Sequence, residues 1–212
     1  MTSLDLGFPL HGASMPLDHG YGLYAAISRA VPALHEARWL AVHPLAGTPN
    51  GKDMLRLRED ASLILRLPPE RIPDVLPLAG QVLEVAGHLL ALGAPSVRAL
   101  IPAASLDARL VLLKLTSAPR RENKELGRES LDAAAFAERY VAELTRQLIK
   151  LDIPSAPQLR GRRSMTVDGK RIVGFSVRVS GLSAGQSLVL QTHGLGGKRR
   201  MGCGIFRPTR GR

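Results

Sequence analysis

The sequence has one cysteine, few aromatic residues and no long apolar run, and each shortage excludes a class of protein. Cys203 alone rules out an internal disulfide and any zinc site built from several cysteines. No stretch approaches the roughly 18 apolar residues of a membrane-spanning helix, and residues 1–6 lack the apolar run of a secretory signal. We therefore expect a soluble, cytoplasmic protein in a reducing compartment, with no membrane partner.

Acidic residues are scarce relative to basic ones, and the imbalance is uneven along the chain. There are 29 Lys and Arg against 18 Asp and Glu, a formal net charge of +11 and a pI near 10.8. From 160 to 212 about a dozen cations accompany one acid, Asp168. A general solubility role explains this asymmetry poorly, whereas an anionic partner, nucleic acid rather than membrane, explains it well.

A glycine-rich block near the C-terminus combines backbone freedom with positive charge. The segment 194–206 reads Gly-Leu-Gly-Gly-Lys-Arg-Arg-Met-Gly-Cys-Gly-Ile-Phe. Backbone amides and cations can approach a polyanion closely where no Cβ atom intervenes, so the block predicts a grip on a phosphate backbone. It is neither a P-loop nor a dinucleotide fingerprint, because Thr192 and Arg199 stand where those motifs need other residues. The alternative is a glycine-rich hairpin with a solvated, charged tip.

Hydrophobic patterning predicts two similar α+β halves. In the first, 4–10 is a strand, Asp18 caps a helix with Pro32 kinking it or beginning a second turn, and 39–45 is a strand. The segment 47–52 is predicted as a turn, 55–58 and 63–67 as a hairpin, 69–78 as a short helix, and 81–92 as further strands. This order is the ferredoxin-like pattern.

The second half repeats the pattern more loosely. We expect a strand over 108–115, a polar loop over 117–130, a helix over 131–151 capped by Ser130, and a hairpin turning at Asp168-Gly169. Strands are predicted at 187–191 and 204–206. The fold class is therefore α+β with two tandem ferredoxin-like domains, 1–103 and 104–212.

Six histidines invite acid/base chemistry, since imidazole titrates near neutrality. His35 ends the first helix, and Tyr24 lies eleven residues earlier, about three helical turns, so both side chains can project from nearly one face. His19, at the entrance to that helix, is the alternative, although histidines near a helix start are more often structural. No pair of histidines has a carboxylate at the sequence spacing that metal-binding sites use, so we expect no metal and no cofactor.

Five segments together carry a resemblance to a known family: 18–21 (Asp-His-Gly-Tyr), 23–27 (Leu-Tyr-Ala-Ala-Ile), 34–36 (Leu-His-Glu), 76–80 (Leu-Pro-Leu-Ala-Gly) and 194–206. They resemble the CRISPR repeat-processing endoribonucleases, a family of the repeat-associated mysterious protein (RAMP) superfamily, and particularly its myxobacterial-type branch. The resemblance covers nearly the whole chain.

The resemblance implies two ferredoxin-like folds that bind the repeat hairpin of a CRISPR precursor RNA and cut at its 3′ base without a metal. In that family the 2′-OH attacks the adjacent phosphate, leaving a 2′,3′-cyclic phosphate and a 5′-OH. His35 and Tyr24 match the catalytic histidine and the helix tyrosine of the family. The third, cationic position is not matched cleanly; Arg38 is the nearest candidate, and Lys52 follows.

RNA contacts are predicted from the clustering of charge and from the glycine block, with stem shape and phosphates outweighing base stacking because aromatic residues are only 4% of the chain. The predicted RNA-binding residues are Arg160, Arg162, Arg163, Lys170, Arg171, Gly194, Gly196, Gly197, Lys198, Arg199, Arg200, Gly202 and Gly204.

Two interpretations of the function stay open at this point. The first is an endoribonuclease that remains bound to the crRNA 3′ hairpin as a subunit of a Cascade-type effector complex. The second is a non-catalytic subunit that holds the crRNA hairpin in a CRISPR effector or a transposon-associated targeting complex. A ribosomal or assembly protein would explain the charge, but not the Leu-His-Glu segment together with the glycine block.

Overall fold

The computed structural model describes residues 3–51, 53–115 and 128–209. In the first half a central strand, β1, places Leu6, Phe8 and Leu10 on one face, where all three are buried in the core. The elements of this half are β1 (Leu4–His11), β2 (Ser14–Pro16), α1 (Gly20–Ala30), β3 (Ala41–Val42), β4 (Gly47–Pro49), β5 (Met54–Leu57), β6 (Ser62–Leu67), α2 (Ile72–Val75), β7 (Val82–Val85), β8 (His88–Leu92) and β9 (Ser96–Ala99).

The main sheet of the first half has the strand order β3-β6-β1-β8-β7, and β9 also pairs with β1. β6 lies antiparallel along one edge of β1, with Leu6 opposite Leu65. β8 and β9 share the other edge, β8 at residues 10 and 11 and β9 at residues 4–7. The predicted strand over 39–45 is reduced to β3.

A small second sheet, in the order β2-β5-β4, corrects two predictions. β5 pairs with β2 and β4 rather than forming a hairpin with β6, because β6 is already paired on both edges by β1 and β3. The hairpin predicted from 55–58 and 63–67 is therefore wrong. The glycine-proline segment predicted as a turn over 47–52 contains strand β4, and Lys52 lies outside the described residues.

The second half contains a four-stranded sheet in the order β11-β12-β10-β13. Tyr140, Leu144 and Leu148 recur every four residues along α3 and are buried in the core beneath it. The elements are β10 (Ser105–Val111), α3 (Arg128–Ile149), β11 (Pro157–Val167), β12 (Lys170–Ser180), α4 (Ala184–His193) and β13 (Phe206–Pro208).

The predicted Asp168-Gly169 hairpin is confirmed, with φ of +50° and +70° at the two turn residues, as a primed turn requires. α3 starts three residues before the predicted position and includes Ser130, so 128–130 of the predicted polar loop are helical, while 117–127 of that loop lie outside the described residues. The strand predicted over 187–191 is wrong, because this segment belongs to α4. Ser183 and Gln186 form a capping box that starts that helix.

With β2, β4 and β5 of the small sheet set aside, the first half runs strand, helix, strand, strand, helix and then β7, β8 and β9, and the second half runs strand, helix, strand, strand, helix, strand. In both halves the first and third of these strands are central in the sheet. The chain is therefore α+β with two tandem ferredoxin-like folds, as the sequence predicts. The boundary between 103 and 104 stays a prediction. No helix in the described part of the chain is long and apolar enough to cross a membrane.

A buried arginine joins the two sheets. Arg66, only 1% exposed, donates through Nε and Nη2 to the carboxylate of Asp5 at 2.7 and 2.9 Å. Its Nη1 donates to the backbone carbonyls of Gln191 at 2.9 Å and Phe206 at 2.7 Å, both in the second half. The Arg66 charge is thus neutralised by Asp5 in the first half, and its remaining nitrogen, Nη1, donates to carbonyls of the second half.

Candidate active site and nucleic-acid interface

The structure brings Tyr24 and His35 together at the end of α1. The helix stops at Ala30, and Pro32 begins a 3-10 turn, Pro32–His35, that returns His35 toward the helix. The Tyr24 hydroxyl donates to the backbone carbonyl of His35 at 2.9 Å and lies 3.1 Å from its ring Nδ1. The two rings stack with centroids 5.6 Å apart and planes inclined by 26°.

This contact determines which nitrogen of His35 is free. Because the single hydroxyl proton of Tyr24 is donated to the carbonyl, the hydroxyl oxygen accepts the hydrogen bond from Nδ1–H. Nε2 therefore carries the lone pair, on a side chain that is 61% exposed, and lies 3.8 Å from the carboxylate of Glu36. Since Nδ1 keeps its proton in both charge states, Nε2 can take up and release a proton without breaking the contact with Tyr24.

Arg38, predicted as the third cation, is not in contact with the Tyr24–His35 pair in the described structure. Arg38 is exposed, and within the described residues no hydrogen bond, ion pair or ring contact joins it to Tyr24 or His35. Lys52, the other candidate, lies outside the described residues. The cation beside the pair is instead Arg200, whose guanidinium carbon lies 5.1 Å from the centre of the Tyr24 ring.

His19 does not share this site. It is only 2% exposed at the opposite end of α1, and both ring nitrogens have partners: Nδ1 lies 3.0 Å from the carbonyl of Pro16, and Nε2 accepts from the amide of Leu45 at 3.0 Å. Burial lowers the pKa of its imidazole, which favours the neutral form. Both ring nitrogens are therefore occupied within the protein, and neither is free to contact an RNA.

Asp18, predicted to cap α1, has a different partner. The N-cap position belongs to His19, and no side chain caps the helix there. The Asp18 carboxylate instead accepts a hydrogen bond from the backbone amide of Thr166, in β11, at 2.7 Å. This bond holds the start of α1 against the long hairpin of the second half.

Four of the five glycines of the block 194–206 pack closely against other parts of the chain, and Gly197 alone has open space around its Cβ position. Gly194 and Gly204 are buried with positive φ, and a Cβ atom on either would lie 2.1 Å from a backbone oxygen. A Cβ on Gly196 would lie 2.4 Å from the Leu112 carbonyl oxygen, and one on Gly202 would lie 3.0 Å from the ring of Pro44. These glycines permit close packing of chain on chain.

The amides of the block are occupied as well. Gly197 donates to the carbonyl of Leu112 at 2.9 Å, Gly196 to the side chain of Gln147 at 2.8 Å, and Gly204 to the carbonyl of Leu110 at 2.7 Å. Donors already paired with protein acceptors are not open to a polyanion. This corrects the prediction that the glycines of the block present their amides to a phosphate backbone.

The side chains of Lys198, Arg199 and Arg200, the three cations of the block, differ in burial and in their partners. Lys198 is exposed, at a left-handed φ of +61°. Arg199 points inward and donates to the carbonyl of Thr192 at 2.7 Å, and burial lowers the pKa of its guanidinium to about 10, with Arg66 adding to the effect. Of the predicted trio, Lys198 alone has an exposed side chain that makes no hydrogen bond to the described residues.

A groove of about 970 Å³ lies between the start of α1, the hairpin β11-β12 and the glycine block. It brings together four of the predicted RNA-binding residues, Arg162, Arg163, Arg171 and Gly202. Arg160 and Lys170 are exposed on the same hairpin but do not line the groove. We call this surface the arginine groove.

Arg109 also lines the arginine groove and is not among the predicted RNA contacts. Partial burial and the nearby charge of Arg163 both lower the pKa of its guanidinium, and the charge of Asp18 partly compensates. The groove holds four arginines against two carboxylates, Asp18 and Asp53, and this excess of positive charge suits an anion. The signal was present in the sequence: Arg109 follows Asp107 on the polar positions of β10, which alternate with buried Leu106 and Ala108.

The glycine block connects the groove to the Tyr24–His35 pair. A Cβ on Gly20, at the start of α1, would lie 2.4 Å from the carbonyl oxygen of Met201, which shows how closely the block and the helix approach. Arg200, the preceding residue of the block, reaches Tyr24 one helical turn further along α1. The groove and the exposed imidazole therefore lie along one side of the same helix.

Comparison with known proteins gives a consistent result. Residues 4–211 match a family model described as Cas6 Crispr. A CRISPR-associated endonuclease Cas6 from Myxococcus xanthus is 41% identical over 208 residues, which are 98% of this chain and 82% of that protein. That relative agrees with the resemblance to the myxobacterial-type branch.

Solved structures of low sequence identity share the fold. A Cas6-related protein of Pyrococcus furiosus superposes with a TM-score of 0.65 at 13% identity, over 99% of this chain and all of that one. A structure described as a RAMP protein binding different RNA substrates gives 0.65 at 11% identity, over 98% of this chain and all of its own. Together with the match of the family model to almost the entire sequence, these findings show that the chain belongs to the Cas6 family.

Proposed function

We propose that this protein is a metal-independent endoribonuclease that binds the repeat hairpin of a CRISPR precursor RNA and cleaves it. The observation that carries the proposal is the contact between Tyr24 and His35, which leaves Nε2 of His35 with a lone pair on an exposed side chain. The name of the Myxococcus xanthus relative, an endonuclease, supports cleavage. RNA binding by a structural relative supports the choice of substrate.

Cleavage requires a base that removes the proton of the 2′-OH and an acid that gives a proton to the departing 5′-oxygen. Nε2 of His35 takes the proton of the 2′-OH upstream of the scissile phosphate, and the 2′-oxygen forms a bond to phosphorus. The bond from phosphorus to the 5′-oxygen breaks, and the imidazolium Nε2–H is the donor for the departing 5′-oxygen. The products are a 2′,3′-cyclic phosphate and a 5′-OH, and neither water nor a metal enters the balance.

The arginine groove holds the RNA in this proposal. Arg109, Arg162, Arg163 and Arg171 offer guanidinium groups that match phosphate oxygens. Few aromatic side chains are present for stacking, so an A-form stem read through its backbone is the substrate that suits the surface. We further propose that the product hairpin stays bound, so that the protein enters a Cascade-type effector complex with its crRNA.

The test is cleavage of the labelled cognate repeat RNA in excess EDTA by the wild type and by His35→Ala, with hairpin binding measured in parallel. We expect the wild type to yield the cyclic phosphate and His35→Ala to bind the hairpin without cutting it. His11→Ala, which removes another exposed imidazole of the first half, is the matched control and should cut normally. A wild type that binds but never cuts would favour the non-catalytic hairpin-holding subunit, and cleavage lost in EDTA would overturn metal independence.

A further inference from the structure

Arg200 holds an unusual position for a cation of the glycine block. Its guanidinium lies over the ring of Tyr24, and its Nη1 is buried with no hydrogen-bond partner within the described residues. A buried guanidinium donor without an acceptor is unfavourable for folding, whereas the face of an aromatic ring attracts the charge. The stability of the fold therefore does not account for this arrangement by itself.

Tyr24 connects Arg200 to the histidine. The ring of Tyr24 is only 6% exposed, receives the guanidinium, and stacks with the His35 ring, while its hydroxyl makes both hydrogen bonds to His35. Arg200 belongs to the second ferredoxin-like fold, and Tyr24 and His35 belong to the first. A shift of the glycine block relative to α1 would remove the cation from the ring that orients the imidazole.

We propose that Arg200 is a positioning residue for cleavage: it orients Tyr24, and through Tyr24 it sets the orientation of His35. This inference rests on the proposed function, since it assigns a role in the same reaction. It also makes the arrangement of the Tyr24–His35 pair depend on the correct docking of the second fold on α1. Arg200 thereby takes the position beside Tyr24 that Arg38 does not fill in the described structure.

The test is a double-mutant cycle measured by single-turnover cleavage at saturating protein. Arg200→Met keeps an apolar chain of similar length but removes the charge, and Arg200→Lys keeps the charge. Tyr24→Phe keeps the ring beneath the guanidinium but removes both hydrogen bonds to His35. We expect Arg200→Met to slow cleavage about tenfold, the scale of one cation–π contact, with Arg200→Lys recovering part of the loss.

Two measurements distinguish a role of Arg200 through Tyr24 from a direct contact of Arg200 with the RNA. If Arg200 acts through Tyr24, Arg200→Met causes no further loss in the Tyr24→Phe background, and the Kd for a hairpin with a 2′-deoxy cleavage site stays within about twofold of wild type. Lys198→Met, which removes the exposed neighbouring cation, is the control and should weaken binding rather than slow the bound complex. A loss that persists in Tyr24→Phe, or a Kd that weakens in step with the rate, overturns the proposal in favour of direct RNA contact.

A second readout does not depend on activity. With ¹⁵N-labelled histidine, the ring signals of His35 should show the tautomer protonated at Nδ1 in the wild type and a mixture of tautomers in Arg200→Met. Unchanged signals in a folded Arg200→Met variant overturn the positioning role. A wild type that does not cut contradicts the proposed function instead, so the two failures are distinguishable.

Discussion

Nε2 of His19 accepts a hydrogen bond from the backbone amide of Leu45 at 3.0 Å, inside the protein. The other ring nitrogen contacts the carbonyl of Pro16 at 3.0 Å. One imidazole thus ties the approach to α1 to the segment after β3. His19 and His35 lie near opposite ends of the same helix, His19 buried and His35 exposed, and this difference is the basis for predicting a structural role for His19.

We predict that His19→Ala destabilises the protein without slowing the bound complex. Removing the ring leaves a buried amide and a buried carbonyl unpaired, which costs about 1–3 kcal/mol, whereas the exposed His35→Ala should change stability by less than about 0.5 kcal/mol. Single-turnover cleavage should fall by about 10²–10⁴ in His35→Ala and stay near wild type in folded His19→Ala. Urea unfolding and cleavage assays on both variants check this. Loss of cleavage in a stable His19→Ala protein would contradict it.

The protein should lose stability as the pH falls from about 6.5 toward 4, because of His43. Burial lowers the pKa of this imidazole to about 4, with Asp5 opposing the shift and the charges of Arg66 and Arg207 adding to it. In this pH range the unfolded chain binds a proton that the folded His43 does not, so the stability is complete above pH 6.5 and is lost on acidification. We expect a loss of about 2 kcal/mol between pH 6.5 and 5.

The matched variant for this prediction is His43→Leu. Neither ring nitrogen of His43 has a hydrogen-bond partner within the described residues, although Nε2 lies 3.5 Å from the Asp5 carboxylate. An apolar replacement should therefore be nearly neutral at pH 7.5 and should flatten most of the acid dependence, leaving the smaller share of buried His19. Urea unfolding at pH 7.5, 6.5 and 5 measures it. An acid dependence unchanged in His43→Leu would assign the effect to other groups.

The sequence predicts the elements whose signals are local. The Asp168-Gly169 turn, β1 and the long helix α3 each follow from residue types within a few positions, and all three are present. The eleven-residue spacing likewise predicts the approach of Tyr24 to His35, since it needs one helix and the turn at Pro32. The capping box of Ser183 and Gln186 is also a local signal and predicts the start of α4, whereas the apolar run 187–191 favours a strand.

The parts that could not be predicted depend on contacts between distant segments. β5 and β6 look like a hairpin locally, and only the pairing of β6 with β1 and β3 excludes it. Arg66 and Asp5 are 61 residues apart, and nothing near either predicts their ion pair. In the same way Arg200 reaches Tyr24 through the docking of two folds, which no local pattern contains.

The glycine block should tolerate substitution at one position and not at another. A Cβ on Gly204, where φ is +67°, would lie 2.1 Å from the carbonyl oxygen of Leu195, so Gly204→Ala should destabilise the protein by about 2–4 kcal/mol. Gly197 has open space around its Cβ position and no positive φ, so Gly197→Ala should change stability by less than about 0.5 kcal/mol.

The same pair tests what the glycines are for. If they serve chain packing, Gly197→Ala should bind the repeat hairpin within about twofold of wild type, as measured by filter binding at constant salt. A Gly197→Ala protein that is stable but binds RNA poorly would instead support a close approach of the phosphate backbone to the block.

Arginine substitutions in the groove should weaken RNA binding in a salt-dependent way. Arg109, Arg163 and Arg171 line the arginine groove, and each guanidinium that neutralises a phosphate releases counterions from the RNA. Replacing one of them with Gln should weaken hairpin binding about tenfold at 0.15 M salt and reduce the slope of log K against log salt by about 1. Binding isotherms from 0.05 to about 0.3 M salt measure both.

Arg109→Gln is the most informative of these variants because it should separate binding from stability. Removing this charge relieves its repulsion with Arg163, so the free energy of unfolding should not fall, while RNA affinity should. Arg58→Gln is the matched control: Arg58 is exposed, pairs with Asp60 at 2.9 Å and lies outside the groove. Its RNA affinity and salt slope should stay at the wild-type values. Equal losses in Arg58→Gln and Arg109→Gln would mean that net charge, not the groove, holds the RNA.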